Sequence, residues 1–334
     1  MLSYVIVGSG YRAEYFGRVA QTWPAQFRAL FLCRSEEKAE KMKRHTGVDA
    51  VLTAEAAEAF RPDFAVIAVD RGHVADVAAE WLERGYPVVT ETPVGDTEEK
   101  LERLQRLEEN GAKIVCCEQY HRQPILAAGL EAVRQGKIGT PQTVYISLMH
   151  DYHAASLIRR SLLTGKENYT VTAMRQVSPA AETDSRYGAI LDGRVTQEVR
   201  DLALVKFDSG KMAFYDFAPL QYRSYIRSRH ITVRGDRGEW SDTTLYALDE
   251  KHQPFRQALM PEIPERYRCL DTQYLRDLRK TWRPELFLDT LQDEYAIATL
   301  LLDMEEYLSG GPSPYPFWEA AEDARFWLRL QAAL

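Results

Sequence analysis

A glycine turn, Gly8-Ser9-Gly10-Tyr11-Arg12-Ala13, follows directly on the apolar run Tyr4-Val5-Ile6-Val7 and leads directly into a helix-like stretch. In this G-x-G-x-x-A order the first glycine permits a tight turn and the second lets backbone approach a pyrophosphate. A small third residue lets the helix pack against the strand. The phosphates would lie at the helix N-terminus, where free N–H groups favour anions. The next hundred residues supply the setting such a turn requires. Short β-rich runs at 4–7, 28–33, 64–69, 87–90 and 113–117 alternate with helical stretches at 12–22, 36–45, 53–60, 73–84 and 97–110. That alternation implies right-handed crossovers and a parallel, doubly wound sheet covered on both faces. Each run is nearly continuous in hydrophobicity, as a strand buried on both faces should be.

The pattern changes near residue 120. A helix over about 124–135 ends at Gly136, a strand is predicted over 142–149, and a helix begins near His153. Residues 178–198 are polar and turn-rich and read as a loop or irregular excursion. Strands then dominate at 201–207, 211–218, 229–234 and 239–248, with turns at Asp208-Ser209-Gly210 and Gly235–Gly238. Hairpin turns between such runs indicate a large, open, mostly antiparallel sheet. Helices return at about 270–281, 288–308 and 317–333. The expected organisation is a dinucleotide domain over 1–120 and a substrate-binding and oligomerisation α/β domain over 121–334.

The chain's 334 residues suit two domains of ordinary size. The balance of 42 Lys+Arg against 49 Asp+Glu, a net charge of −7, argues against a nucleic-acid partner or an anionic membrane surface. Four cysteines are too few for a disulfide scaffold, and no CxxC pair suggests structural zinc. The apolar N-terminal run stops at Gly8, without the basic flank or length of a signal peptide or span. A cytoplasmic location is expected on these grounds.

The end of the second strand bears on which dinucleotide is held. An Asp or Glu gripping the ribose 2′-hydroxyl is expected about 20 residues beyond the glycines where NAD is preferred. That place holds Cys33-Arg34-Ser35, in which Arg34 and Ser35 could hold a 2′-phosphate. NADP is therefore the expected cofactor, with NAD the alternative; a solvated surface charge is the plainer reading of Arg34.

Further segments carry a family resemblance. Asp63–Val69, then His73, then Gly85–Pro93 resemble the fourth and fifth strands of the glucose–fructose oxidoreductase / inositol dehydrogenase / MocA family. Gly136-Lys137-Ile138-Gly139 is similar to that family's turn into its second domain, Asp201–Gly210 to a later hairpin, and Gly235–Glu239 to its G-x-x-G-E turn. The resemblance implies a Rossmann domain followed by an α+β domain whose open sheet walls the site and whose other face often mediates dimers or tetramers. It also implies that Val69, Asp70, His73, Glu91 and Thr92 join the glycine turn, Cys33, Arg34 and Ser35 in holding the cofactor.

The sequence departs from the family at the chemistry. The usual motif is Glu-Lys-Pro, but this chain has Glu91-Thr92-Pro93, and a threonine hydroxyl does not titrate near neutrality. The usual Asp four residues before a helix-starting His is Met149 if that His is His153; the match survives as His150-Asp151-Tyr152-His153. The candidates for proton transfer are therefore His153, Tyr152, Asp151 and His121. A His at a helix N-terminus tends to stay neutral and can act as base or donor, although packing or capping is the plainer role for any one of them. Thr92, Tyr120 and His121 are expected to converge with Asp151, Tyr152 and His153. A metal between His150 and His153 lacks an evident third ligand, and Cys116-Cys117 reads as core. The stretch Tyr222–His230, read as a strand, would place its arginines on one wall. The resulting expectation is an NADP-preferring oxidoreductase acting on a sugar, cyclitol or related polar carbonyl or alcohol. Alternatives are an imine or C=C reductase of the same family, a non-catalytic NADP-binding sensor, or transient cofactor use in an elimination or hydrolysis.

Overall fold

The structure, a computed structural model, describes residues 1–185, 188–260, 263–270 and 291–334. Two compact units divide the chain: Met1–Pro124 with Glu262–Ala324, and Ile125–Pro261 with Arg325–Leu334.

In the first unit, β1 (Leu2–Val7), β2 (Phe27–Leu32), β3 (Ala50–Val51), β4 (Phe64–Ile67), β5 (Val88–Thr90) and β6 (Ile114–Cys116) form one parallel sheet. Its order, β3-β2-β1-β4-β5-β6, is that of a doubly wound dinucleotide fold. The helices are α1 (Tyr11–Thr22), α2 (Glu36–Thr46), α3 (Ala54–Ala59), α4 (Val74–Glu83) and α5 (Glu98–Glu109). β1 and β4 are buried along their whole length, which is why they read as unbroken apolar runs. Ser35, Thr53 and Thr97 each accept a hydrogen bond from a backbone N–H three residues on, capping α2, α3 and α5. The edge strand β3 has only two residues, too few to leave a pattern in sequence.

The second unit is built on an eight-stranded sheet. Its members are β7 (Pro141–Ser147), β8 (Tyr169–Ala181), β11 (Val195–Phe207), β12 (Met212–Phe217), β13 (His230–Gly235), β14 (Gly238–Ser241), β15 (Thr244–Leu248) and β16 (Pro254–Ala258). Every pairing is antiparallel except β7 with β12. The helices α6 (Pro124–Arg134) and α7 (Asp151–Leu162) accompany it. Gly129 of α6 faces Trp240 of β14 so closely that a Cβ there would lie 2.1 Å from the indole.

Several expectations are corrected. The described residues of 178–198 are not a loop throughout: β8 and β11 pair from Tyr169↔Phe207 to Ala181↔Val195, and β9 (Asp184–Ser185) and β10 (Gly188–Ala189) pair beyond them. β8 is exposed or half-buried at all but two of its 13 residues, so no apolar alternation marks it. Its ladder is reinforced by charge, with Arg175 donating to the directly opposed Asp201 at 2.6 and 2.9 Å. The single strand expected over 239–248 is a hairpin, β14 and β15, turning at Asp242 (φ 49°) and Thr243, a conformation aspartate tolerates. Residues 223–229 form no strand. A short 3-10 helix, Pro219–Arg223, leads into irregular chain before β13, and Arg227 pairs with Glu198 rather than lining a wall. The helix expected over 270–281 lies outside the described residues; the next one is described over Leu291–Leu308 and the last over Phe317–Ala333.

Candidate functional site

Within the first unit the predicted cofactor residues gather at the carboxyl ends of the parallel strands. Doubly wound sheets bind ligands there, beside the switch between β1 and β4. Gly8 has φ 139°, and a Cβ on it would stand 2.1 Å from the Ala68 carbonyl oxygen at the end of β4. Only glycine fits this approach. Gly10 differs: it is exposed, caps α1 without a side-chain bond, and a Cβ on it would meet nothing within 4 Å. The open space over Gly10 and the uncapped N-terminus of α1 suit a pyrophosphate. Ala13 is fully buried where the helix meets the sheet. These residues fit a dinucleotide.

Arg12 turns back to the end of β5. Its Nε donates to both Glu91 carboxylate oxygens at 3.1 Å, and Nη1 stands 3.6 Å from Asp293. Although burial opposes its charge, the Glu91 and Asp293 carboxylates hold the Arg12 guanidinium pKa well above its ordinary value. The pair ties α1 to the Glu91-Thr92-Pro93 segment, whose Thr92–Pro93 bond is cis. Tyr11 and Tyr15 share a hydroxyl contact of 2.8 Å on the same helix. At the end of β2, Cys33 is buried, and burial pushes its thiol pKa up. Arg34 is exposed, and Ser35 accepts from the Lys38 N–H at 3.4 Å. Val69 and the exposed Asp70 follow β4, and the exposed His73 closes the short turn Arg71–His73. His121 follows β6 in the turn Tyr120–Arg122, its ring 5.3 Å from that of Tyr315, whose hydroxyl donates to the buried Asp323. Cys116 and Cys117 are buried, and burial raises both thiols.

In the second unit the other candidates stand at the start of α7. Asp151 has φ 38°, and its N–H donates to the Tyr215 hydroxyl at 3.1 Å. Burial, then the Asp151 carboxylate, raises the Tyr215 pKa well above its ordinary value. Tyr152 and His153 are both buried, with rings 4.7 Å apart. Sequence reasoning missed the centre of this group. His150, the residue capping α7, has Nδ1 2.6 Å from the Tyr222 hydroxyl and Nε2 2.9 Å from the Tyr152 hydroxyl. Its own backbone N–H also donates to Tyr222 at 3.1 Å. In sequence His150 stands out only as part of the His150–His153 match and as a metal-ligand candidate, and Tyr222 lies in a stretch that reads as a strand. Among the described residues no group of three or more His, Cys, Asp or Glu side chains is placed to hold a metal ion. No helix among them is long and apolar enough to cross a membrane.

Comparison with known proteins bears on the fold and on the first unit's family. Residues 2–119 match the GFO/IDH/MocA family, described as an oxidoreductase family with an NAD-binding Rossmann fold. No curated protein matches the sequence. Solved structures match the fold end to end. An NAD-binding oxidoreductase from Klebsiella pneumoniae is 16% identical with TM-score 0.71, covering 99% of this chain and 96% of that one. A levoglucosan dehydrogenase in complex with NADH and levoglucosan is 14% identical with TM-score 0.72 and the same coverage. A biliverdin reductase from a Synechocystis species, in complex with biliverdin and NADP+, is 17% identical with TM-score 0.65, covering 99% of this chain and 98% of that one. The chain thus carries the fold of these oxidoreductases, and its residues 2–119 match the model of the GFO/IDH/MocA oxidoreductase family with its NAD-binding Rossmann fold.

Proposed function

We propose that this protein is a nicotinamide-dinucleotide-dependent oxidoreductase, NADP-preferring, acting on a sugar, cyclitol or related polar carbonyl or alcohol without the family's usual lysine. The observation that carries the reading is the Gly8–Ala13 turn, open above Gly10 and leading into an uncapped α1, with the exposed Arg34 at the end of β2. The dinucleotide supplies the hydride chemistry; the chain binds, orients and manages one proton. Gly8, Ser9, Gly10, Tyr11, Arg12 and Ala13 hold the pyrophosphate side, Arg34 and Ser35 the 2′-phosphate, and Val69, Asp70, His73, Glu91 and Thr92 the remainder. His153, Tyr152, Asp151 and His121 are the proposed proton-handling groups. Residues 1–120 act in cofactor binding and most of 121–334 in substrate binding and assembly, the described part of Glu262–Ala324 packing with the first unit.

Fluorescence titration with NADPH and NADH tests the reading, and absence of micromolar binding to either would sink it. Arg34→Ala is expected to weaken NADPH about tenfold, as loss of one charge-assisted contact would, and to leave NADH unchanged. Equal loss for both nucleotides would remove the 2′-phosphate role. A second reading, reduction of an imine or C=C bond, is favoured by Thr92 in the lysine's place and by the likeness to biliverdin reductase. Parallel screens of NADPH oxidation against keto-sugars and cyclic imines separate the two. We also propose a homodimer or homotetramer formed through the open face of the eight-stranded sheet.

A further inference from the structure

We infer that Arg12 is a positioning residue that ties together the two mononucleotide halves of the first unit. Gripped by Glu91 and Asp293, its side chain sets the Glu91-Thr92-Pro93 segment for the nicotinamide end of the dinucleotide. This deepens, and rests on, the oxidoreductase reading above. In the order β3-β2-β1-β4-β5-β6 the sheet consists of two βαβαβ halves, each built for one mononucleotide. Arg12 is the second residue of α1, in the first half, beside the glycine turn. Arg34 and Ser35, proposed for the 2′-phosphate, make that half the adenosine one. Glu91 follows β5 in the other half, which is left to the nicotinamide. The two residues are 79 positions apart in sequence and meet across the switch between β1 and β4.

All three guanidinium nitrogens of Arg12 face carboxylates. Nε donates to both Glu91 oxygens at 3.1 Å, Nη2 lies 3.0 Å from Glu91 Oε1, and Nη1 lies 3.6 Å from Asp293 Oδ2. The guanidinium also stands over the Tyr15 ring, 4.7 Å from its centroid. One cation against two carboxylates leaves a net negative charge, which repels a pyrophosphate rather than drawing it. The phosphates are therefore left to the backbone around Gly10 and the N-terminus of α1, and the Arg12 side chain serves geometry.

Several elements hold the grip in place. Glu91 is buried, and its N–H donates to the Ile67 carbonyl at the end of β4 at 2.9 Å. The Thr90 carbonyl beside it accepts the Cys117 N–H at 2.7 Å. These bonds fix the backbone up to Glu91, and Arg12 fixes the carboxylate at the point where the chain leaves the sheet for Thr92. Asp293 comes from the helix Leu291–Leu308, outside both halves, and its Oδ1 accepts from Nε2 of the buried Gln123 at 2.7 Å. Arg12, Glu91, Gln123 and Asp293 all lie in the first unit. A planar guanidinium engaging a carboxylate through two nitrogens fixes direction as well as distance, which the point charge of a lysine does not.

The test is calorimetric titration of the full-length protein with each reduced dinucleotide and with its fragment lacking the nicotinamide ring. NADPH is compared with 2′-phospho-ADP-ribose and NADH with ADP-ribose, so both phosphates are kept throughout. Arg12→Lys is expected to weaken the tighter-binding dinucleotide about tenfold and Asp293→Asn about threefold. The matching fragment should stay within about twofold of wild type in both variants, a split that general loosening of the fold would not produce. In a Glu91→Gln background Arg12→Lys should cost less than about twofold more, because Arg12 acts through Glu91. Equal losses for dinucleotide and fragment would make Arg12 a phosphate ligand and overturn the proposal. Losses that add in the double variant, or dinucleotide affinity unchanged in both single variants, would overturn it as well. Wild-type protein that binds neither dinucleotide overturns the oxidoreductase reading instead. Thermal melting checks each fold, and Asp293→Asn, at the longer contact, carries the test if Arg12→Lys does not fold.

Discussion

Two glycines two positions apart have different reasons to be glycine. Gly8 is fixed by the protein: its φ of 139° and the 2.1 Å approach to the Ala68 carbonyl exclude any Cβ. Gly10 is free of such neighbours, so the fold does not require it. Gly8→Ala is therefore expected to cost about 2–3 kcal/mol or more through strain and overpacking, read as a lower denaturant midpoint. Gly10→Ala should leave that midpoint within about 0.5 kcal/mol and weaken nucleotide binding instead. An equal loss of stability in both variants would show that the turn is built for folding rather than for a ligand. The glycine turn and the buried Ala13 were legible in sequence because their spacing and their place after a strand carry the physics. His150 was not. Its two phenol partners lie two and 72 residues away, and nothing in local spacing announces the second.

At the scale of elements, α1 and the helix Leu291–Leu308 are joined by ion pairs whose ends are unequally solvated. Arg18 Nε donates to Glu294 Oε1 at 2.8 Å, while Glu294 Oε2 is buried without a partner among the described residues. Burial raises the Glu294 pKa above its ordinary value, although Arg18 pulls it down. The folded state therefore holds this proton to higher pH than the unfolded chain does. Stability contributed by Glu294 must fall as pH rises from about 4.5, the unfolded value, to the raised folded value, and stay level above it. Urea unfolding of wild type and Glu294→Gln across pH 4 to 8 should show wild type losing ground to the variant in that window. A gain with rising pH would mean that Arg18 dominates and the burial argument is wrong. Sequence periodicity located these helices because both have buried faces, and it located β11 only over 201–207, where burial alternates from Ala203 to Phe207; β8, with two buried residues, shows no such pattern.

At the scale of the whole molecule, the unused face of the eight-stranded sheet sets the expectation for assembly. The paired positions Leu204, Phe214 and Tyr145 make a row across β11, β12 and β7, and the Phe214 and Tyr145 rings stack at 4.6 Å while exposed. This exposed apolar row is the surface on which the proposed assembly rests. Phe214→Glu is expected to reduce the sedimenting species to the 38.3 kDa monomer with an unchanged circular dichroism spectrum. A wild-type protein that sediments as a monomer at micromolar concentration would remove the proposal. The sequence by itself determined the parallel doubly wound sheet, the glycine turn after β1 and the presence of a second, mostly antiparallel sheet. Those depend on local periodicity and on glycines whose constraint lies within a few residues. Tertiary structure alone decided that the described part of Glu262–Ala324 packs with the first unit, that Arg12 spends its charge on Glu91, and that His150 lies between the Tyr222 and Tyr152 hydroxyls. Each is a contact between segments far apart in the chain, where no periodicity links the partners and only the packed fold selects them.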